Sequence, residues 1–116
     1  MRITVAKSAG FCFGVKKAVE TVTENLNKYN SLSTFGPIIH NPQVVEDFKQ
    51  KGVLSIDEVD NINTEATVIR SHGAPPEVFE KLAQKGITVI DATCPYVARI
   101  QQTVAKAWKD GYEIVI

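Results

Sequence analysis

The chemically reactive side chains are scarce in this chain of 116 residues, with only two cysteines, two histidines, one methionine and one tryptophan. No apolar run approaches the roughly 18 residues of a membrane-spanning helix. The opening MRITVAKSAGF lacks the apolar stretch, about 7–15 residues long, of a secretory signal. Thirteen basic residues balance thirteen acidic ones, so no global field recruits nucleic acid or a membrane surface. The expectation is a cytosolic protein with neither as a partner. In that compartment two cysteines 82 positions apart do not form a structural disulfide. They are then inert buried thiols, ligands of a metal or cluster, or catalytic groups.

Other absences narrow the chemistry. There is no G-x-x-x-x-G-K-[ST] loop and no G-x-G-x-x-G turn, so the common nucleotide fingerprints are missing. The closely spaced cysteine pairs of a classical zinc module are missing too.

What is present is one grammar, repeated. A hydrophobic content of 44% and a charged content of 22% are ordinary for a folded chain of about one domain. Short β-branched runs alternate with amphipathic helical patterns. ITV (3–5), STF (33–35), VLSI (53–56), ATVIR (66–70), ITVI (87–90) and YEIVI (112–116) read as strands. A helix is expected from about Gly14 to Tyr29, with Val15, Ala18, Val19, Val22 and Leu26 on one face and Asn30 as its C-terminal cap. Three more open at Asn41-Pro42, Pro75-Pro76 and Pro95, and close at Gly52, Gly86 and Gly111. Proline in the first turn and glycine past the last is the usual asymmetry of helix ends. Residues 57–65 form a polar connection. Strands alternating with helices imply an α/β fold with a mostly parallel sheet and flanking helices. YEIVI begins a new unit as the sequence stops, so the expectation is the front part of a longer protein.

All four reactive residues fall just before an expected helix start. Cys12 lies in SAGFCFGV, His40 in GPIIHNP, His72 in RSHGAPP and Cys94 in DATCPY. In a parallel sheet such joints share one edge, and ligands bind there. Blander readings compete for each residue. Cys12, between Phe11 and Phe13, reads on its own as a core residue. Yet Gly10 and Gly14 let the backbone approach something bulky, and a helix N-terminus favours a thiolate. Cys94 has the same helix-end environment with weaker aromatic surroundings. His40 reads equally as a structural histidine or a ligand, while Gly73 leaves room beside His72. Lys16 and Lys17 hint at an anion but read first as a solvated pair. Two thiolates converging from distant joints suit an iron–sulfur cluster, with the missing ligand beyond Ile116.

The motifs GFCFGVKKAVE (10–20), IIHNPQVVEDF (38–48), SHGAPP (71–76) and VIDATCP (89–95) resemble those of the 4-hydroxy-3-methylbut-2-enyl diphosphate reductases, which act last in non-mevalonate isoprenoid synthesis. The likeness runs in order along essentially the whole chain. It implies a three-lobed α/β protein around a [4Fe–4S] cluster with three cysteine ligands and one open iron. Cys12 and Cys94 match two of those cysteines, and His40 and His72 match two histidines that hold the substrate diphosphate. The implied reaction is a two-electron reductive dehydroxylation to isopentenyl and dimethylallyl diphosphates, with a ferredoxin or flavodoxin as electron donor. Residues 1–95 correspond to the first lobe, and 96–116 to a helix and strand leading into a second. The family's third cysteine, further histidine, proton-donating glutamate and its serine, threonine and asparagine pocket groups match nothing here, so this segment alone is not expected to be competent. Two alternatives come from other classes. One is a non-catalytic zinc domain in which Cys12, Cys94, His40 and His72 close a Cys2His2 site, and the other is a cysteine-dependent hydrolase.

Overall fold

A computed structural model describes residues 1–115. Its elements in chain order are α1 (Phe13–Asn25), β1 (Leu32–Phe35), α2 (Pro42–Gln50), β2 (Leu54–Ile56), β3 (Ala66–Ile69), α3 (Pro76–Gln84), β4 (Thr88–Asp91) and α4 (Pro95–Lys109), with one 3-10 turn at Val59–Asn61. The four strands form one sheet in the order β2-β1-β3-β4, and every pairing is parallel. The expected α/β class with a parallel sheet is what the chain adopts.

The order of the strands explains their composition. β1 and β3 are central, covered on both faces, and their residues are almost continuously buried. Parallel strands flanked by helices require this. β2 and β4 lie at the edges, and their residues are exposed or half-buried. Polar residues in the centre satisfy one another: Ser33 Oγ lies 2.8 Å from Thr64 Oγ1 and donates to Thr67 Oγ1 at 3.1 Å. Two apolar clusters flank the sheet. Ala18 and Val22 of α1 pack with Phe48 of α2, Ala66 and Val68 on one side. Leu82 of α3 packs with Ile62, Ile69 and Ile87 on the other. Connections from the two central strands thus leave in opposite directions, β1 through α2 to β2 and β3 through α3 to β4. The gap between β1 and β3 is the topological switch point.

Three expectations need correction. ITV (3–5) is not a strand, and its residues are exposed. Residues 112–115 of YEIVI are likewise outside the sheet, and Ile116 lies outside the described residues. Both runs have strand composition, but a strand exists only where a neighbour completes its ladder. The third correction shortens α1, which ends at Asn25 rather than Tyr29. Asn25 Nδ2 turns back to the Thr21 carbonyl at 2.7 Å. Asn30 is no helix cap: its backbone and side-chain N–H groups both donate to Glu65 Oε2, at 2.8 and 2.9 Å. A run of Asn27, Lys28, Tyr29 and Asn30 offers little helix propensity to oppose that tether.

Candidate functional site

His40 follows β1 and His72 follows β3, so the two imidazoles flank the switch point. Their ring centroids stand 4.9 Å apart with planes inclined by 33°. Together with Phe11, Val15, Ile39, Asn41 and Ser71 they line a cavity of about 270 Å3. The loop carrying His40 is held from both sides. Asn41 caps α2, its Oδ1 accepting from the amides of Gln43 and Val44 at 3.0 and 3.3 Å. Ser71 is buried, and its N–H and hydroxyl both reach the Ile38 carbonyl at 3.5 Å.

Electrostatics favour an anion in the cavity that the two rings line. Partial desolvation, then His40, then the Arg70 guanidinium hold the His72 pKa below the ordinary histidine value. A neutral His72 presents one N–H donor, and a bound anion draws a second proton onto it. Arg70 itself has a buried Nε with no hydrogen-bond partner among the described residues.

The two thiols occupy the first positions of two helices. Cys12 is the N-cap of α1 and Cys94 the N-cap of α4, and neither sulfur makes a capping bond. Both are free, Cys12 exposed and Cys94 half-buried. The helix starts touch. A methyl group on Gly14 would stand 2.5 Å from Cys94 Sγ, so the absent side chain is what lets α1 accept the thiol. Beside it, Phe13 and Tyr96 meet edge to face at 6.4 Å. The core reading of Cys12 is therefore wrong, since Phe11 and Phe13 are 50% and 61% exposed. Soft donors left out of capping, with a notch beside one of them, fit the partial ligand set of an iron–sulfur group.

Thiol and imidazole loops are bonded to each other. Cys94 N–H donates to the Ser71 carbonyl at 2.9 Å, and Gln101 Nε2 to the His72 carbonyl at 3.2 Å. All four residues thus lie along one edge of the sheet. They do not form one coordination sphere: among the described residues no three His, Cys, Asp or Glu side chains are placed to hold a single ion. The closed Cys2His2 zinc arrangement is not formed, because the histidines face each other across the switch point while Cys94 faces α1. Lys16 reaches Glu20 at 3.8 Å as an exposed pair, in keeping with the solvated reading. Sequence reasoning passed over Arg70, Asp91 and Gln101. Arg70 and Asp91 carried a usable signal, since each is a charge ending an otherwise apolar strand at the ligand-binding edge.

The fold and site define an open parallel α/β unit with imidazoles at its switch point and thiols at adjoining helix starts. No helix among the described residues is long and apolar enough to cross a membrane. The LytB protein family profile matches residues 3–116, and the chain belongs to that family. It is 48% identical over 121 aligned positions to the 4-hydroxy-3-methylbut-2-enyl diphosphate reductase of Caldanaerobacter subterraneus subsp. tengcongensis, covering 100% of this chain and 42% of that protein. The Aquifex aeolicus reductase is 45% identical, with 98% and 40% covered. A solved (E)-4-hydroxy-3-methyl-but-2-enyl diphosphate reductase superposes with a TM-score of 0.80 at 46% identity, covering 95% of this chain and 40% of that one. The corresponding enzyme of Plasmodium falciparum gives 0.86 at 30% identity, covering 91% and 34%. The chain thus spans about two fifths of the length of these relatives.

Proposed function

We propose that this chain carries the first-lobe part of a 4-hydroxy-3-methylbut-2-enyl diphosphate reductase. Residues 1–95 form that lobe, and 96–116 lead toward a second. The reaction takes up two electrons and two protons, breaks the bond from carbon to the substrate hydroxyl, and releases water with isopentenyl or dimethylallyl diphosphate. Cys12 and Cys94 supply two thiolates to a [4Fe–4S] cluster in a reducing, cytosolic setting, and a third cysteine comes from residues outside this chain. When bound, the cluster supplies a Lewis-acidic iron and the route for electrons from a ferredoxin or flavodoxin. His40 and His72 bind the diphosphate oxygens through imidazole N–H donors. The Asn41 cap and the buried Ser71 orient the two histidines. Phe11 forms an apolar wall that limits water at the anion.

One observation supports this reading: the loops that carry the paired imidazoles at the switch point are hydrogen-bonded, through the Ser71 backbone, to the loop that presents Cys94 at the notch of Gly14. The test is the iron, acid-labile sulfide and zinc content of the native protein purified without oxygen, beside Cys12→Ser and Cys94→Ser. About four irons and four sulfides per chain, lost in both variants, are expected. One zinc without sulfide overturns the reading. Activity that survives chelators and loss of one thiol would favour a hydrolase instead.

A further inference from the structure

A cysteine that follows a strand and opens a helix is aimed by the two or three residues between them. Here those residues are Asp91, Ala92 and Thr93. Asp91 is the last residue of β4, in register with Ile69 of β3. Its Oδ1 accepts two hydrogen bonds, from Thr93 N–H at 2.9 Å and from the Thr93 hydroxyl. This is the local side-chain turn that aspartate favours, and it folds the backbone sharply away from the strand. Two further bonds continue the path on the β3 side, Ala92 N–H to the Ile69 carbonyl at 3.1 Å and Cys94 N–H to the Ser71 carbonyl at 2.9 Å.

Thr93 also has a steric task. It lies over Gly73, where an added methyl group would stand 3.2 Å from Thr93 Oγ1 and 3.3 Å from its Cγ2. Gly73 has φ +79°, a conformation that tolerates few other residues. The hydroxyl cannot turn to another acceptor without leaving Asp91, so the carboxylate fixes the Thr93 rotamer as well as the turn. Fixed in this way, the chain enters α4 with Cys94 Sγ seated at Gly14. The turn acts beside the two backbone bonds to Ile69 and Ser71, since Cys94 makes no side-chain cap bond and Pro95, following it, brings no backbone N–H.

We propose that Asp91 is a positioning residue, which through Thr93 sets the direction of the Cys94 thiol toward the cluster site. This rests on the reading of Cys94 as a cluster ligand. The carboxylate does not touch the cluster or substrate. It acts through the turn, and the acceptor oxygen rather than the negative charge is what matters.

That distinction sets the test. Asp91→Asn keeps the acceptor oxygen and removes the charge, whereas Asp91→Ala removes both. Thr93→Val keeps the shape and loses the hydroxyl. Each variant of the native protein is purified without oxygen and loaded with iron and sulfide. Two quantities are followed, the rate of iron extraction by a chelator and the electron paramagnetic resonance spectrum of the reduced cluster. Thermal melts report folding. Extraction from Asp91→Ala is expected to be roughly tenfold faster, the scale of losing one to two hydrogen bonds, with a broadened spectrum and a near-normal melt. Asp91→Asn restores both readouts, and Thr93→Val falls between. If Asp91→Ala matches the parent in rate and spectrum, the inference is overturned. If Asp91→Asn behaves like Asp91→Ala, charge rather than position is responsible and the inference also fails. Should Asp91→Ala not fold, Thr93→Val alone decides: a parental rate and spectrum overturn the proposal. Cys94→Ser keeps the two failures apart, because a full cluster in that variant refutes the ligand reading itself.

Discussion

Replacing Gly14 with alanine tests whether α1 and the Cys94 loop are as closely fitted as the structure places them. An added Cβ would stand 2.5 Å from Cys94 Sγ and 2.9 Å from Cys94 Cβ, where carbon contacts are comfortable at about 3.5–4.0 Å. One of the two segments must move by about 1 Å. Overpacking of this kind costs about 1–3 kcal/mol. Alanine gains up to about 1 kcal/mol over glycine in a helix interior, and less here, because Gly14 is the second residue of α1. The net expectation is a destabilisation of about 1–2 kcal/mol, read as a lower urea midpoint at unchanged slope. A double-mutant cycle identifies the cause. In a Cys94→Ala background the sulfur contact is gone and only the Cβ contact remains, so the same substitution is expected to cost about 1 kcal/mol less. Gly14→Ala should also shed iron, although residue 14 offers no ligand atom. A variant as stable as the parent, or an equal cost in both backgrounds, would refute the close approach of the two helix starts.

The remaining predictions concern the anion site. Because His72 is held below the ordinary histidine value, its free ring is mostly neutral near pH 7, and anion binding takes up a proton. Sulfate, which does not titrate in this range, is therefore expected to bind more tightly as pH falls from 8 toward 5.5, measured by calorimetry; affinity independent of pH would contradict the shared site. The same depression adds no penalty to folding above the ordinary value, an increasing one as pH falls from the ordinary value toward the depressed one, and a constant one below that. Arg70→Met removes one of the charges that lower His72, so the His72 ring resonance should titrate at higher pH, and an unmoved titration would show that Arg70 is not close enough to matter. Asn41→Ala removes the oxygen that caps α2 through two amides and should lower stability by about 0.5–2 kcal/mol, with weaker sulfate binding because His40 is released with the cap.

The interior of the fold was legible because it is built from local signals. Pro42, Pro76 and Pro95 mark helix starts, and Gly52, Gly86 and Gly111, all with positive φ, mark the turns that follow helices. VLSI, ATVIR and ITVI lie in the sheet within a residue or two of their expected bounds. The two ends were misread for one physical reason. ITV and YEIVI have the same β-branched composition as the true strands, but pairing is a non-local fact that composition does not carry. The early end of α1 escaped for a related reason, since the tether from Asn30 to Glu65 spans 35 positions.

The site was legible as a pattern of positions and as a thiol pair and an imidazole pair, and strand order adds how the loops that carry them meet. By position alone, Cys12, His40, His72 and Cys94 are four equivalent residues before four helices; thiol chemistry and the family resemblance set the cysteines apart for a cluster and the histidines for a diphosphate, with a Cys2His2 sphere as the alternative. The order β2-β1-β3-β4 breaks that equivalence. It places β1 beside β3, so their following loops meet and the imidazoles face each other. It leaves β4 outside β3, so Cys94 approaches the His72 loop from one side while α1, packed across the sheet, brings Gly14 to its thiol. Had the order been β1-β2-β3-β4, β2 would separate the two histidines by about one further strand spacing of 4.8 Å, and no switch point would lie between them. The meeting of the two imidazoles therefore follows from one topological choice, the reversal of winding direction between β1 and β3. Substitutions that leave the four side chains intact but disturb that central pairing, at Ser33 or Thr67, should weaken sulfate binding and iron retention together.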